Sequence, residues 1–302
     1  MPAAAIILVL IAAVTHVAWN ALGKRQNPAA AFFVWAVLWG LLLLSPLLVY
    51  FRDTLVRLPA GVWWFVFFTG FWQALYYGML AAAYRKGDMS LAYPLLRAIP
   101  VLLLAALSFA LGRGAELSPA CLAGMALIFL GSVVLPNRAW REFHLRNYLN
   151  ACCLCAFFAA VGTAGYSLID HAALKSLRAL PEAPLTPLDA ALLYAPLEAC
   201  SSLIWLGLYT LCVPYERRQL LEVWREGKAR SALMGFGIFF AYTLVLAAMT
   251  LVQNVGYIVA FRQTSIPLGA AFGVLVLKEP NYFLKNAGVL AVFVGVILVA
   301  AG

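Results

Sequence analysis

The sequence predicts an all-α integral membrane protein in which ten transmembrane helices form two inverted five-helix repeats. Of its 302 residues, 65% are hydrophobic and 11% are charged, whereas ordinary soluble proteins carry about 25% charged residues. A spanning helix with its loop takes roughly 30 residues, so the length suits about ten spans and leaves no room for a sizeable soluble domain. Short motifs also recur between the two halves.

Each predicted helix is an apolar run bounded by charged residues, proline or glycine. In chain order the runs cover approximately 3–22, 29–51, 62–84, 90–111, 117–135, 148–173, 188–212, 230–252, 256–277 and 282–301. The widest polar stretches, expected as loops, are Pro136–Asn147 and Pro214–Arg230. The first of these divides the chain nearly in half, which predicts one repeat over 1–145 and a second over 146–302.

Matching motifs support the repeat. Arg97-Ala98-Ile99-Pro100 in the fourth helix matches Thr264-Ser265-Ile266-Pro267 in the ninth. The pair Gly124/Gly131 in the fifth helix matches Gly288/Gly295 in the tenth. Because five is odd, the two halves must lie upside down to each other in the membrane. Inverted repeats are typical of transporters that bind substrate between the repeats near the membrane midplane.

The basic residues predict the orientation. The net charge is +9, and fourteen lysines and arginines fall in loops after odd-numbered helices against five in the other loops. Cytoplasmic loops carry such an excess and face anionic lipid. We therefore expect the odd-numbered loops in the cytoplasm and both termini outside. The charge does not imply a nucleic-acid partner.

Polar residues on the first helix predict a cavity. His16, Asn20 and Lys24 follow at i, i+4 and i+8 with Trp19 beside them, so they form one polar stripe. The alternative is that Lys24 extends to the interface while His16 and Asn20 bond neighbouring helices.

Two arginines lie deep in predicted spans. Arg97 follows Tyr93 by one turn between Pro94 and Pro100, and Arg262 lies at similar depth in the ninth helix. Such charges are costly in lipid, so each needs a cavity or a partner. A guanidinium suits a carboxylate or phosphonate ligand. The alternative for Arg97 is a buried salt bridge to an acid.

Acidic residues inside the spans are few, and Asp170 and Glu198 are the candidates to carry a proton or to bind a substrate ammonium. Gln73, Tyr77 and Tyr257 can line the same cavity, although packing alone would also explain each of them.

Other classes of site find little support. The six cysteines lie in or beside apolar runs and resemble small hydrophobic residues, so no metal site is predicted. No nucleotide, flavin or protease fingerprint occurs, and we expect neither a cofactor nor an enzyme. The first apolar run lacks a basic leader and is expected to stay as a helix. The glycine faces favour helix packing, which leaves a monomer or a weak homodimer.

The chain resembles the drug/metabolite transporter superfamily, specifically its EamA-type ten-helix members. The resemblance rests on motifs over the whole chain: His16-Val17-Ala18-Trp19-Asn20 with Lys24, Ser90-Leu91-Ala92-Tyr93-Pro94-Leu95-Leu96-Arg97, Tyr166-Ser167-Leu168-Ile169-Asp170 and Lys278-Glu279-Pro280. It implies a central cavity lined by helices 1, 3, 4, 6, 8 and 9, with helices 5 and 10 at the periphery. Where many relatives are glycine-rich after the aspartate, this chain has His171-Ala172-Ala173.

We therefore expect a secondary transporter in the cytoplasmic (inner) membrane of a bacterium. Its substrate would be a small anionic or zwitterionic metabolite, amino-acid-like or phosphonate-like, with Arg97 binding the acid group. Two alternatives remain: an exporter of aromatic or cationic drugs, and a non-transporting membrane scaffold or lipid-handling subunit.

Overall fold

A computed structural model describes residues 1–23, 29–86, 89–142, 144–181, 184–276, 278 and 280–302, without the side chains of 19–23, 89–93, 142, 145 and 147. This part of the chain is 86% helical and contains no strand. The helices are α1 (Ala3–Gly23), α2 (Ala30–Tyr50), the short α3 (Arg52–Val56), α4 (Ala60–Lys86), α5 (Met89–Ala110), α6 (Pro119–Val134), α7 (Ala151–Arg178), α8 (Pro187–Cys212), α9 (Pro214–Met249), α10 (Val255–Phe261), α11 (Ser265–Leu275) and α12 (Phe283–Ala301).

The fold is all-α, and several helices suit a membrane. Seven helical segments in the described residues are long and apolar enough to cross one: α2, α4, α7, α8, α9, the α10–α11 stretch and α12. Three further apolar helices are shorter, at Ala3–Ala18, Pro94–Ala110 and Pro119–Val134. Each of the ten predicted runs is therefore helical over most of its length, while the number of spans stays a prediction.

Local capping explains where several helices begin. Side-chain oxygens accept hydrogen bonds from backbone N–H groups in the first turns of α6, α7, α8 and α10, the capping residues being Ser118, Asn150, Thr186 and Asn254. These contacts satisfy donors that have no partner inside the helix. The starting points of these helices are thus determined by their own sequence.

Two elements differ from the sequence prediction. The stretch 214–230, predicted as a loop, is the first part of α9, which begins at Pro214 because proline suits the first helical position. The ninth predicted helix is interrupted by a 3-10 turn at Arg262–Thr264. Pro267 lacks the N–H that would bond the carbonyl of Gln263, and this loss favours the interruption.

Helix pairs recur in a symmetric pattern. α4 packs along both α7 and α8, and α9 packs along both α1 and α2. α4 and α9 thus each hold two neighbouring helices in the same way. α6 and α12 pack against each other through reciprocal glycines: a Cβ on Gly124 would lie 2.5 Å from the Gly295 carbonyl oxygen, and one on Gly131 would lie 2.7 Å from that of Gly288. The two helices are therefore antiparallel and in backbone contact.

Candidate functional site

A cavity lies among α1, α4, α5, α7, α8, α9 and the turn between α10 and α11. It holds about 900 Å³ of atom-free space, its open mouth included. Along α4 its wall runs from Gln73 to Tyr84, along α1 from Ala12 to His16, and along α9 it begins at Met234. The cavity therefore extends from the middle of the bundle toward the end where α1 and α4 finish.

Aromatic side chains form much of the cavity wall. They come from α2, α4, α7 and α9 and comprise Phe33, Tyr76, Tyr77, Tyr84, Tyr166, Phe239 and Tyr242. Phe33 stacks on Tyr77 with ring centroids 4.9 Å apart, and Tyr166 meets Tyr242 edge to face at 5.9 Å. Such a wall combines flat apolar contact with phenolic hydroxyl groups.

Two arginines share one side of the cavity. Arg97 Nη2 donates to the carbonyl oxygen of Arg262 at 3.1 Å and to Ser265 Oγ at 2.7 Å. These bonds hold α5 against the interrupted helix. Arg97 Nε is buried without a hydrogen-bond partner. Both arginines also line a smaller adjoining pocket of about 310 Å³.

The surroundings of these arginines are polar. Tyr166, Tyr242 and Tyr76 all lie within electrostatic reach of Arg262. His16 lies within electrostatic reach of Arg97 and Arg262 and also lines the cavity. Because all of these groups can donate hydrogen bonds, this side of the cavity suits an anion.

Glu198 is the acidic group in the wall. It is 1% exposed, and its Oε1 accepts a 2.6 Å hydrogen bond from Ser202 one turn along α8. Gln73 lies beside it, while Oε2 is buried without a close hydrogen-bond donor. Within the described side chains neither Asp170 nor Glu198 forms an ion pair with Arg97, so the salt-bridge alternative for Arg97 is wrong.

Asp170 lies behind the wall rather than in it. Its carboxylate accepts hydrogen bonds from Thr69 Oγ1 at 2.6 Å, from the Tyr194 hydroxyl at 2.8 Å and, very closely, from the Tyr242 hydroxyl. Asp170 and Thr69 are fully buried, as is Tyr194. The carboxylate therefore joins α7 to α4, α8 and α9, and it reaches the cavity only through Tyr242.

Polar contacts hold the opposite end of the bundle together at the loop between α9 and α10. Arg178 donates to the Thr250 carbonyl oxygen at 2.6 Å, and Arg113 donates to that of Gln253 at 2.8 Å. His171 Nε2 lies 3.0 Å from the same Gln253 oxygen. We call Arg113, Glu116, His171, Arg178 and the loop 250–254 the polar clasp. Here His171, at a position where the family resemblance implies glycine-rich sequence, holds the loop.

Glu116 completes the polar clasp outside the membrane-spanning helices. It accepts hydrogen bonds from Arg113 Nε at 2.9 Å and from Asn254 Nδ2 at 3.1 Å. The hydrogen bond from Arg113 lowers the pKa of the Glu116 carboxyl below its ordinary value of 4.5. Burial raises this pKa by less than Arg113 lowers it, and the bond from Asn254 lowers it further. The Glu116 carboxylate is thus charged at neutral pH.

Most of the described candidate residues come together. His16, Gln73, Tyr77, Arg97, Glu198 and Arg262 line the cavity. Tyr257 does not: its hydroxyl accepts from the Ser118 N–H at 3.1 Å and donates to the Gly302 carbonyl at 3.3 Å, because the first turn of α10 faces α6 and α12. The side chains of Trp19, Asn20 and Tyr93, and all of Lys24, lie outside the described residues.

Sequence reasoning missed several functional candidates. Tyr242 lines the cavity and bonds Asp170, and Thr69 and Tyr194 complete the environment of that carboxylate. A signal for Tyr242 was present, since Tyr242 and Thr243 interrupt an otherwise apolar run in α9. Predicted helices 1, 3, 4, 6, 8 and 9 correspond to α1, α4, α5, α7, α9 and the α10–α11 stretch, and each of them contributes to the cavity wall. Phe33 of α2 and Glu198 of α8 add two more helices.

Comparison with known proteins identifies only the fold. No protein-family model matches the sequence, and no curated protein matches it. Among 25 solved chains that match the structure, one crystal structure, described only as that of a protein, aligns with a TM-score of 0.70. The alignment covers 99% of this chain and 96% of the other at 17% sequence identity. At this identity the likeness shows a shared fold over the whole chain and nothing about substrate or mechanism.

Proposed function

We propose that the protein is a secondary transporter that moves a small anionic or zwitterionic metabolite by alternating access. The observation that carries the proposal is a cavity in the middle of an apolar helical bundle with Arg97 and Arg262 on one side and Glu198 in its wall. Charged groups at membrane depth are costly and mark substrate or ion pathways. A non-transporting scaffold has no need for such a cavity.

Charge argues for the substrate class. The described wall holds two guanidinium groups against one carboxylate, and His16 lies near the arginines. A surplus of positive charge in a low-dielectric site attracts anions. Arg97 Nε is buried without a partner beside the Nη2 atom bonded to Ser265, so a carboxylate or phosphonate that displaces the covering side chains would satisfy this donor.

Glu198 is the proposed site for a substrate ammonium or a coupled proton. It faces the cavity directly, whereas Asp170 communicates with it through the Tyr242 hydroxyl. We assign Asp170 first to holding four helices together and second to proton coupling. The sequence carries no ATP-binding fingerprint, so transport would draw on a gradient or on exchange.

The arrangement fits one state of a transport cycle. The cavity opens toward the ends of α1 and α4, and the polar clasp holds the opposite end closed. The sequence places the open end at the odd-numbered loops, which the basic residues assign to the cytoplasm. Transport would require the polar clasp to separate while the cavity mouth closes.

Inverted repeats would supply the symmetry for this exchange. If the halves are 1–145 and 146–302, Gly124 corresponds to Gly288 and Gly131 to Gly295. Gly124 contacts Gly295, the counterpart of Gly131, and Gly131 contacts Gly288, the counterpart of Gly124. A twofold relation between the halves requires this exchange. This supports ten spans and the resemblance to EamA-type drug/metabolite transporters, and we propose that family and a bacterial inner membrane location on that basis.

The test is transport by purified protein in proteoliposomes. Amino acids and phosphonates are first screened for a rise in melting temperature, since a bound ligand stabilises the folded protein. With the stabilising compound, Arg97→Ala should reduce uptake or efflux at subsaturating concentration about 10- to 100-fold, the loss expected for a charged hydrogen bond.

Arg57→Ala is the matched control, because Arg57 is exposed and precedes the start of α4, whereas α4 lines the cavity only from Gln73 onward. Arg97→Lys should retain part of the activity, since it keeps the charge and loses the planar fork. Undiminished transport of an anionic compound by both Arg97 variants would reject the proposed binding role.

Export of aromatic or cationic drugs is the second candidate, favoured by the aromatic wall and by Glu198. It is less supported because two guanidinium groups would repel a cation. Competition separates the two functions: organic anions should inhibit uptake of the transported compound, and quaternary ammonium compounds should not.

A further inference from the structure

The long helix α9 must bend. Glu216 Oε2 accepts a hydrogen bond from the Ala31 N–H, and a Cβ on Gly235 would lie 2.1 Å from the Ala36 carbonyl oxygen. A straight helix would separate positions 216 and 235 by roughly 28 Å, whereas positions 31 and 36 of α2 are only about 8 Å apart. The first part of α9 therefore turns away from the axis of the second part.

The bend has a local cause. Gly227 lacks a side chain, and Ser231 Oγ donates to the Lys228 carbonyl oxygen at 2.9 Å. Glycine and back-bonded serine are both associated with helix bending. We call residues 214–230, which include Gly227 and end just before Ser231, the basic segment.

One face of the basic segment contacts the bundle. Glu216 and Val223 are buried and Leu220 and Gly227 are half-buried, and the spacings of four, three and four residues place them on one side of a helix. Arg85 Nη1 donates to Glu216 Oε1 at 2.6 Å and stacks over the Tyr215 ring. The segment is thus fixed against α2 and α4 rather than projecting into solvent.

The adjacent face combines cations with apolar groups. Arg217, Leu221, Trp224 and Lys228 follow with the same spacing, one residue further along, and all are exposed. Arg218 and Arg225 are exposed on the neighbouring row. The exposed charged residues of the whole segment comprise five basic residues and two acidic ones, Glu222 and Glu226. This face carries a clear positive excess.

Tryptophans relate this face to the membrane surface. Trp224 packs on Trp35 and Trp39 of α2, with ring centroids 4.6 and 6.3 Å apart, and Lys228 Nζ lies 6.0 Å from the Trp224 ring. Trp35 Nε1 also donates to the Leu220 carbonyl oxygen. Tryptophan concentrates at the headgroup level of membranes, and α2 is one of the seven membrane-compatible helices. If α2 crosses the membrane, the cations beside Trp224 would therefore lie near the depth of lipid phosphates.

We propose that the basic segment is a binding surface for anionic phospholipid, formed by Arg217, Arg225 and Lys228 around Trp224. The cations attract the phosphate of the headgroup, and Trp224 with Leu221 contacts the adjoining acyl region. The bend between residues 216 and 235 allows the segment to follow the membrane surface while the rest of α9 runs through the bundle. This assignment does not depend on the proposed transport function, because it concerns lipid alone.

The test uses the full-length protein in vesicles of phosphatidylcholine that contain brominated phosphatidylglycerol or, in parallel, brominated phosphatidylcholine. Bromine quenches nearby tryptophan fluorescence. The wild type should be quenched more by the anionic lipid than by the neutral lipid at equal fractions. The triple variant Arg217→Gln/Arg225→Gln/Lys228→Gln should weaken this preference by up to about 100-fold, since each of the three cations near a membrane surface contributes about fivefold.

A second triple variant, Arg138→Gln/Arg141→Gln/Arg146→Gln, removes the same charge from another basic stretch and should keep the preference. The protein has nine tryptophans, and others such as Trp64 and Trp140 are exposed, so Trp224→Phe should leave part of the quenching and remove the excess quenching by the anionic lipid, which assigns the preference to this face. Absence of a preference in the wild type, equal loss in the two triple variants, or no loss in the first would overturn the proposal. So would a dimer in neutral detergent that the first triple variant dissociates, because the face would then bind a second copy.

Discussion

At the residue scale, Asp170 shows how an acidic group is accommodated inside the bundle. Three hydroxyl donors, from Thr69, Tyr194 and Tyr242, surround its two oxygens. Buried polar groups are tolerated when they are hydrogen-bonded. Each donor comes from a different helix, so the carboxylate links elements that are far apart in the chain.

We predict that Asp170→Asn destabilises the protein. The amide has one acceptor oxygen, and its NH2 group can donate to a hydroxyl but cannot accept from one, so at least one buried hydroxyl proton loses its acceptor at a cost of about 1–3 kcal/mol. The melting temperature in detergent should fall, while the exposed Asp53→Asn should leave it unchanged. Equal melting temperatures for Asp170→Asn and wild type would show that the three contacts contribute nothing.

Glu116 supplies a pH-dependent part of the polar clasp. Because its folded-state pKa lies below 4.5, it contributes stability that is present above that value and is lost as the pH falls through the folded-state pKa. Glu116→Gln should therefore melt below the wild type at neutral pH and approach it on acidification. Glu226→Gln, an exposed change on α9, is the control. A difference that stays constant with pH would contradict an ionic role.

Sequence reasoning identified Arg97, Arg262 and Glu198 because a charge in an apolar run has few structural explanations. It placed Tyr257 in the cavity wrongly, because a tyrosine in an apolar run has many structural explanations. Only the contact with Ser118 shows which explanation applies. The hydroxyl donors around Asp170 were equally inaccessible, since three separate helices bring them together.

At the scale of helices, apolar length predicted where each run lies, while the exceptions depended on finer chemistry. The interruption at Arg262–Thr264 has a sequence correlate in Pro267 and is completed by bonds from Arg97, a residue of another helix. The basic segment looked like a loop because its polarity was high, although its arginines, glutamates and leucines are good helix formers.

The reciprocal glycines predict a packing defect on substitution. Gly124→Ala places a Cβ 2.5 Å from the Gly295 carbonyl oxygen and 2.8 Å from Val299, so α6 and α12 must move apart at a cost of about 1–3 kcal/mol. The melting temperature should fall.

Gly207→Ala is the matched control within a helix. No atom lies within 4 Å of the added methyl group, so the better helix propensity of alanine should raise stability slightly, by about 0.5–1 kcal/mol. A fall of similar size for both substitutions would show that close α6–α12 contact is not the cause.

At the scale of the whole molecule, the cavity and the polar clasp divide the protein into an accessible end and a closed end. Tyr84 and Met234 line the cavity toward the accessible end, whereas Ser167, one turn before Asp170, is fully buried. Alternating access therefore predicts different chemical accessibility from the two sides of the membrane.

In a variant without the six native cysteines, Tyr84→Cys and Met234→Cys should react with a membrane-impermeant maleimide, and Ser167→Cys should not. Reaction should be faster in inside-out than in right-side-out vesicles, because the charge distribution places the odd-numbered loops in the cytoplasm. Faster reaction from the opposite side would reverse the predicted topology, and equal labelling of all three would contradict a closed end.

The hydrogen bonds of Arg97 have a consequence for the order of events when a ligand arrives. One guanidinium reaches a carbonyl and a hydroxyl 165 and 168 positions later in the chain. An anion that draws Arg97 away would leave the Arg262 carbonyl bonded only within its own turn, to Ser265, whereas an anion that uses only Nε would leave the junction between α5 and the interrupted helix intact. Occupancy can thereby be communicated from the first half of the polypeptide to the second through a single side chain.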